Sequence, residues 1–224
     1  LRNSGWRVDY VEPSRARTSL VVRWPESRHQ STMFVASLDT VAADVRAWTF
    51  DPWTPRVCGG RLFGLGSADM KGGAACLVDA GVAMALTEPE RCQASVLLFV
   101  ADTERAGRLG LGSVLRRLDK PPKLAVVAGP TNGAHCTEEK GVCWLEVRLY
   151  ADGRSGPSLV TAASRLVLSG EALSSDDFAV RGTTVEALGT QNQPPEEAKI
   201  VFDVRRKSGT PGSVARDVLR SITD

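Results

Sequence analysis

The run Ser95-Val96-Leu97-Leu98-Phe99-Val100-Ala101 restricts the fold more than any other stretch of this chain. It is too short for a buried helix and lacks the polar–apolar alternation of a strand with one wet face. A near-continuous apolar run of this length reads as a strand covered on both faces. Met33 to Ala36 and Leu124 to Ala128 read the same way, and Leu20 to Trp24 is a further strand. Such strands need helices above and below them. Met70 to Leu86 repeats Ala, Leu, Val and Met at helical spacing, and Leu111 to Leu118 is a short amphipathic helix stopped by Asp119-Lys120-Pro121-Pro122. Strands separated by helices imply an α/β sheet with helices on both sides.

The pattern changes after Gly141. Val142 to Tyr150 alternates apolar and polar residues, so one face of that strand should be wet. Leu159 to Leu168 is helical in pattern, Thr184 to Leu188 and Lys199 to Val204 are strands, and Ser213 to Ile222 is a helix with Ser213 as its cap. The order β-α-β-β-α is a ferredoxin-like unit without its last strand. The expected division is therefore 1–140 and 141–224. Leu1 to Tyr10 reads as the end of a helix entering a strand, and the second part stops before its sheet closes. A piece of a longer chain, or a shortened version of one, is expected.

Composition narrows the function classes. A formal net charge of +2 is too small to argue for nucleic acid or an anionic membrane as partner. The pairs Arg15/Arg17 and Arg205/Arg206 read as solvated surface. No apolar stretch reads as reaching the roughly 20 residues of a membrane span. The five cysteines are scattered without a C-x-x-C pair, which fits reduced thiols in a cytoplasmic protein. His29 and His135, the only histidines, sit in polar loops far from each other and read as surface or locally satisfied side chains.

Chemistry concentrates where apolar runs end in polar groups. Met33 to Ala36 runs into Ser37-Leu38-Asp39. Gly60 to Gly73, GRLFGLGSADMKGG, places Asp69 directly before a helix, whose N-terminus favours a carboxylate. LLFVADTERAG carries Asp102 and Glu104 at the end of a buried strand, the sheet edge where α/β proteins bind ligands.

In order, SLDTV, WTFDPWTP, GRLFGLGSADMKGG, LLFVADTE, VVAGPT and EKG resemble the landmarks of one family. It comprises the zinc-dependent amidohydrolases and metallopeptidases that include acetylornithine deacetylase, succinyl-diaminopimelate desuccinylase, aminoacylases and glutamate carboxypeptidase. The stretch TQNQPPEEAKIVFDVR resembles that family's lid. The resemblance covers nearly the whole chain. It implies a zinc-exopeptidase-like α/β sheet domain followed by an incomplete ferredoxin-like lid and dimerisation domain.

It also implies amide hydrolysis by two zinc ions bridged by a carboxylate, with a glutamate as base on the metal-bound water. Zinc lowers the pKa of such a water to about 7 and polarises the carbonyl. Carried over residue by residue, the first histidine ligand corresponds to Ser37, and Asp39 is the carboxylate that orients it. The bridging aspartate corresponds to Asp69. The paired glutamates, base then ligand, correspond to Thr103 and Glu104, and the acidic ligand before Pro-Thr corresponds to Gly129. The lid histidine falls in GRSGPSLV, and the last histidine ligand belongs to a segment beyond this sequence. Asn192 corresponds to the lid asparagine that faces the substrate carboxylate, although an asparagine before prolines is also a turn residue.

The resemblance therefore implies a degenerate member with Ser37, Thr103 and Gly129 at altered positions and Asp69 and Glu104 as the remaining metal ligands. No cofactor is expected, zinc being that of the family. Such a chain binds an acylated amino acid or peptide, or pairs as a homodimer or with an active relative. Two alternatives stay open. Asp39, Asp69 and Glu104 crowd into an acid/base site in the same cleft, with Ser37 and Thr103 as nearby hydroxyls and Asp39, Thr103 and Glu104 as the candidate catalytic residues, or a longer chain retains metal-dependent amide hydrolysis. Ser37 is expected to hydrogen bond Asp39, and Trp48 and Trp53 to pack the loop over the cleft.

Overall fold

The computed structural model describes residues 1–25, 27, 31–105, 107–118, 120–151, 158–190, 192–207, 213, 217, 218, 220 and 221. His29, most of GRSGPSLV and part of the helix expected from Ser213 lie outside the described residues. The chain divides into two units, Leu1–Ala134 and His135–Asp224. In the first, a turn at Arg2–Ser4 leads into β1 (Arg7–Val11), followed by β2 (Ser19–Arg23), β3 (Thr32–Ser37), β4 (Arg56–Cys58), β5 (Arg61–Phe63), α1 (Gly72–Thr87), α2 (Pro89–Cys92), β6 (Ser95–Val100), α3 (Leu111–Leu115) and β7 (Leu124–Val127).

The main sheet has the order β1-β2-β6-β3-β7. The pairs β1–β2 and β2–β6 are antiparallel, whereas β6–β3 and β3–β7 are parallel. All six residues of β6 are buried, which explains its unbroken apolar run. Leu97 and Phe99 point into a core with Trp6, Val22, Ala36, Met70 and Ala74 on the α1 side. Val96, Leu98 and Val100 point the other way, into a core with Val21, Val35 and Val114 on the α3 side. Burying each such side chain stabilises by about 1.5–3 kcal/mol relative to exposure. On the α1 side, Trp6 donates through Nε1 to the Gly81 carbonyl at 2.9 Å and meets Trp24 edge-on at 5.4 Å.

Several boundaries differ from the expectation. α3 ends at Leu115, three residues before Leu118, where Arg116 and Arg117 turn outward ahead of the Pro-Pro stop. The glycine-rich stretch holds a small hairpin, β4–β5, turning on Gly59 and Gly60 with φ of +56° and +72°. Two successive left-handed residues suit the two-residue hairpin turn, and Gly adopts them without a Cβ clash. Ser67–Thr87 spans 21 residues with a mean hydropathy of 1.2, so by length and composition alone it resembles a membrane span, contrary to the expectation. Asp69 and Met70 break its first turn with non-helical backbone angles. The continuous helix Gly72–Thr87 then rises about 24 Å at 1.5 Å per residue, less than the ~30 Å hydrocarbon core.

The second unit contains β8 (Gly141–Tyr150), α4 (Leu159–Ala172), β9 (Phe178–Ala187) and β10 (Glu197–Arg206). Its sheet has the order β8-β10-β9 with antiparallel neighbours, so β8 and β9 run parallel with β10 between them. This is the split β-α-β arrangement that the element order implied. Ala198, Ile200, Phe202 and Val204 alternate into a core with Val147, Val180 and Ala163 of α4, and the intervening residues face outward. β9 begins at Phe178, six residues before the expected start. A bulge opposite Val201 and Phe202 breaks the alternation at Thr183, and Gly182 makes room for Val167 of α4. α4 is capped by Ser158, whose Oγ accepts from the Thr161 N–H at 3.3 Å.

Candidate functional site

The parallel strands β3, β6 and β7 end along one edge of the main sheet. Ser37 pairs with Val100 and Val35 with Val127, so the three strands stop nearly level. That edge carries the residues singled out by sequence: Ser37 ends β3, Asp102 to Glu104 follow β6, and Gly129 follows β7. Ligands in open α/β sheets lie outside such carboxyl ends.

The turn after β6 is locked by its own carboxylate. Asp102 is buried with φ of +69°, and its carbonyl accepts from the Arg105 and Gly107 N–H groups. Its Oδ2 accepts from Leu109 N, while Oδ1 lies 3.7 Å from Nη1 of Arg17. Arg17, expected to be solvated, is instead the half-buried counter-ion of Asp102. Upstream, the Ala101 N–H leaves the ladder and donates to Ser19 Oγ at 3.1 Å. Gly110 is required where α3 begins, because a Cβ there would overlap the Ala101 carbonyl. These contacts present Thr103 and Glu104 toward β3.

Asp39 receives them. Ser37 Oγ donates to Asp39 Oδ1 at 2.8 Å, Thr103 Oγ1 donates to the same oxygen at 2.7 Å, and the two hydroxyls also hydrogen bond each other. The backbone N–H of Thr103 reaches Oδ1 at 3.1 Å and that of Glu104 reaches Oδ2 at 3.0 Å. Two hydroxyl protons thus serve three oxygen–oxygen contacts, so the protons can exchange among the edges while Asp39 stays ionised. Partial burial pushes the Asp39 carboxyl up, but bonds from Thr103, from the Glu104 N–H and from Ser37 outweigh it and hold it below the usual range. Glu104 is exposed, yet burial of its carboxyl and the charges of Asp39 and Asp69 push it above the usual range.

Asp69 stands exposed ahead of α1, and its peptide bond to Met70 is cis. The preceding Gly66 has φ of +78°, and a Cβ there would meet Thr40 and the Lys71 ammonium. Gly129 opens onto free space: a Cβ would meet nothing within 4 Å. Ser37, Asp39, Thr103 and Glu104 are therefore brought into one hydrogen-bonded cluster, with Asp69 within electrostatic reach of Glu104. Among the described residues, no three His, Cys, Asp or Glu side chains converge as a metal site.

Asn192 belongs to the second unit. It is exposed in a tight turn between Thr190 and Gln193, whose backbones pair at 2.8 and 3.3 Å. His135 is exposed. Trp53 is 65% exposed and does not pack the loop, contrary to expectation. Phe50 and Phe63 meet edge-on at 5.3 Å instead, with the Arg56 guanidinium 4.5 Å over Phe50. The contacts missed by sequence, Arg17–Asp102 and Ser37–Thr103, join residues too far apart in the chain for any spacing rule.

Comparison with known proteins agrees with this architecture. The sequence pattern of Peptidase family M20/M25/M40 matches residues 33–211. Acetylornithine deacetylase of Pasteurella multocida (strain Pm70) is 28% identical over 160 residues, 70% of this chain and 40% of that enzyme. Succinyl-diaminopimelate desuccinylase of Gluconobacter oxydans (strain 621H) is 35% identical over 107 residues, 46% of this chain and 28% of that enzyme. The crystal structure of an M20 family metallo-carboxypeptidase, Sso-CP2 from Sulfolobus solfataricus, superposes with a TM-score of 0.70 at 10% identity, covering 97% of this chain and 66% of that one. The chain thus spans well under two thirds of the length of the curated relatives it matches.

Proposed function

This chain belongs to peptidase family M20/M25/M40, and we propose that it binds an N-acylated amino acid or a peptide at the carboxyl edge of its main sheet without two-zinc hydrolysis. The observation that carries this reading is the Ser37–Asp39–Thr103 cluster. The positions that the resemblance assigns to an imidazole ligand and to the general base hold hydroxyls, and both are turned onto Asp39.

The donor set does not fit the two-metal centre of the family. Catalytic zinc takes about three protein ligands from imidazole, thiolate and carboxylate. At the matched positions here only Asp69 and Glu104 offer charged oxygens, Gly129 offers none, and the Asp39 carboxylate is already saturated by four donors. Ser37 and Thr103 are neutral alcohols, weak ligands beside imidazole or carboxylate. What these residues supply is a polar floor: an Asp39 carboxylate held by its own loop, and beside it a Glu104 carboxyl pushed above its usual range by burial and by the charges of Asp39 and Asp69. Such a floor suits hydrogen bonding to an amide.

The relatives named above supply the ligand class, N-acetyl and N-succinyl amino acids. All five cysteines are free thiols, which supports a reducing, cytoplasmic setting. Pairing with a second copy or with an active relative, through the edges of β8 and β9 that carry no further strand among the described residues, belongs to the same reading.

Two measurements test it. The purified, chelator-free chain should contain much less than one zinc per molecule, should not hydrolyse N-acetyl-L-ornithine in excess zinc, and should still bind that compound by calorimetry. Stoichiometric zinc with turnover would return the metal-dependent hydrolase to the front. A chain with Ser37→His, Thr103→Glu and Gly129→Asp combined should gain zinc affinity over the unmodified protein, since a Cβ at Gly129 meets no neighbour within 4 Å.

A further inference from the structure

On the α3 side of the main sheet, away from the cluster above, three arginines rim a small hollow around one aspartate. The hollow is ≈ 240 Å³ and is lined by Arg7, Asp9, Arg23 and Arg117 above a floor that includes Val21 and Val114. Arg7 of β1 and Arg23 of β2 are directly opposed across the antiparallel pair. Like charges in that position repel and destabilise a sheet. Asp9, two residues along β1, accepts from both: Arg7 Nε reaches Oδ1 at 2.9 Å and Arg23 Nη2 reaches Oδ2 at 2.7 Å. Those bonds hold the Asp9 carboxyl below its usual range, led by the one from Arg23 and opposed by burial.

One carboxylate does not balance three guanidiniums. Arg117, from the turn after α3, brings a third positive charge to the rim and has no side-chain hydrogen bond or ion pair among the described residues. Arg7 keeps both terminal nitrogens free of hydrogen bonds among those residues, and Arg23 keeps Nε and Nη1 free. The site therefore carries a formal charge of about +2 and a surplus of N–H donors arriving from two strands and a turn. Guanidinium forks bind oxyanions through paired, charge-assisted hydrogen bonds.

We propose that this hollow is a binding site for a small doubly charged tetrahedral oxyanion, phosphate either free or as a terminal monoester. The net positive charge favours a dianion over a monocarboxylate. The site stands on the first unit alone and does not depend on the ligand proposed above.

The test is calorimetric titration of the whole chain at constant ionic strength with inorganic phosphate, O-phosphoserine and, as control, acetate. Arginine Nε–H signals are followed by NMR in parallel. Saturable phosphate binding with Kd below about 1 mM is expected, weakened at least about tenfold by Arg117→Ala, with acetate much weaker. Tighter O-phosphoserine would assign the site to a monoester, and tighter inorganic phosphate to the free ion. Asp9→Asn removes the competing carboxylate and should tighten phosphate binding, a gain that an unfolded variant cannot mimic. Non-saturable binding, an equal response to acetate, or phosphate affinity unchanged by both substitutions would overturn the proposal.

Discussion

The hydroxyls of Ser37 and Thr103, 66 residues apart in the chain, hydrogen bond each other and both turn onto Oδ1 of Asp39. Neither hydroxyl is explained by its own strand. Ser37 ends β3 and Thr103 follows the sharp Asp102 turn after β6, and they meet only because those strands are parallel neighbours. Substitution at one of these positions therefore changes the environment of the other, and the pair behaves as one polar unit with Asp39.

That coupling is measurable. Ser37→Ala and Thr103→Val each remove one donor from an ionised acceptor, an interaction worth about 1.5–3 kcal/mol when well shielded. Partial exposure brings the expected loss to about 1–2 kcal/mol each. The double variant should lose less than the sum by at least about 0.5 kcal/mol, because either single change already frees the partner hydroxyl to rearrange. Urea unfolding of the four proteins measures this. Simple additivity would mean that the two hydroxyls act independently.

Acid unfolding reads the same cluster through its charge. The folded Asp39 carboxyl is held below its ordinary value, so its stabilisation is present above the unfolded pKa and fades as pH falls through the folded one. Thr103→Val moves the folded value back up. Its stability curve should run below the wild-type curve at neutral pH, and the gap should narrow as pH falls through the folded Asp39 value. Glu104 has the opposite sign, since its raised carboxyl costs stability as pH rises through the folded value. Glu104→Gln should stabilise slightly at pH 7 and not at pH 3, by about 0.5 kcal/mol or less after screening at this exposed position.

What was legible in the sequence follows from how local each signal is. The run of β6 announced a strand covered on both faces, and its alternate residues do feed two cores. The β-α-β-β order of the second unit carried its strand order, because a helical crossover between parallel strands leaves room for the returning one. The β4–β5 hairpin rests on Gly59-Gly60 between short apolar pairs, a weaker signal than the Asp69 motif that follows it. The start of β9 is hidden because its bulge cancels the period-two pattern. At the site, Ser37 and Asp39 were two residues apart and their bond was foreseeable. The third member, Thr103, and the Arg17 counter-ion of Asp102 depended on strand adjacency, which no local pattern encodes.

Three glycines at this edge should respond very differently to a side chain. At Gly73, near the start of α1, a Cβ would overlap the Ala128 carbonyl, and at Gly110 it would overlap that of Ala101. Both contacts are with backbone, which cannot swing aside as a flexible side chain does. Gly73→Ala and Gly110→Ala should each cost more than about 2 kcal/mol or prevent folding. At Gly129 an added Cβ meets no neighbour within 4 Å, so Gly129→Ala and Gly129→Asp should stay within about 0.5 kcal/mol of the parent. Thermal melts of the four variants separate the groups. A stable Gly73→Ala would mean that α1 lies farther from β7 than described.

The strand β7 poses the opposite problem, an edge with too little cover. Among the described residues it pairs only with β3, and all four of its residues, Leu124 to Val127, are exposed. Leu124 is 56% and Val127 63% exposed, on a strand with no charged side chain of its own. An apolar edge of this kind recruits another strand, from further chain or from a second molecule. The 224-residue polypeptide should therefore self-associate at high concentration, with a rate that rises in salt as repulsion between its charges is screened. Val126→Lys places a charge on the strand without removing a fully buried contact, since Val126 is already 40% exposed. Light scattering should show that this variant stays monomeric at concentrations where the parent grows, while its urea midpoint changes little. Equal growth of both would move the association surface away from β7, to the exposed edges of the second unit.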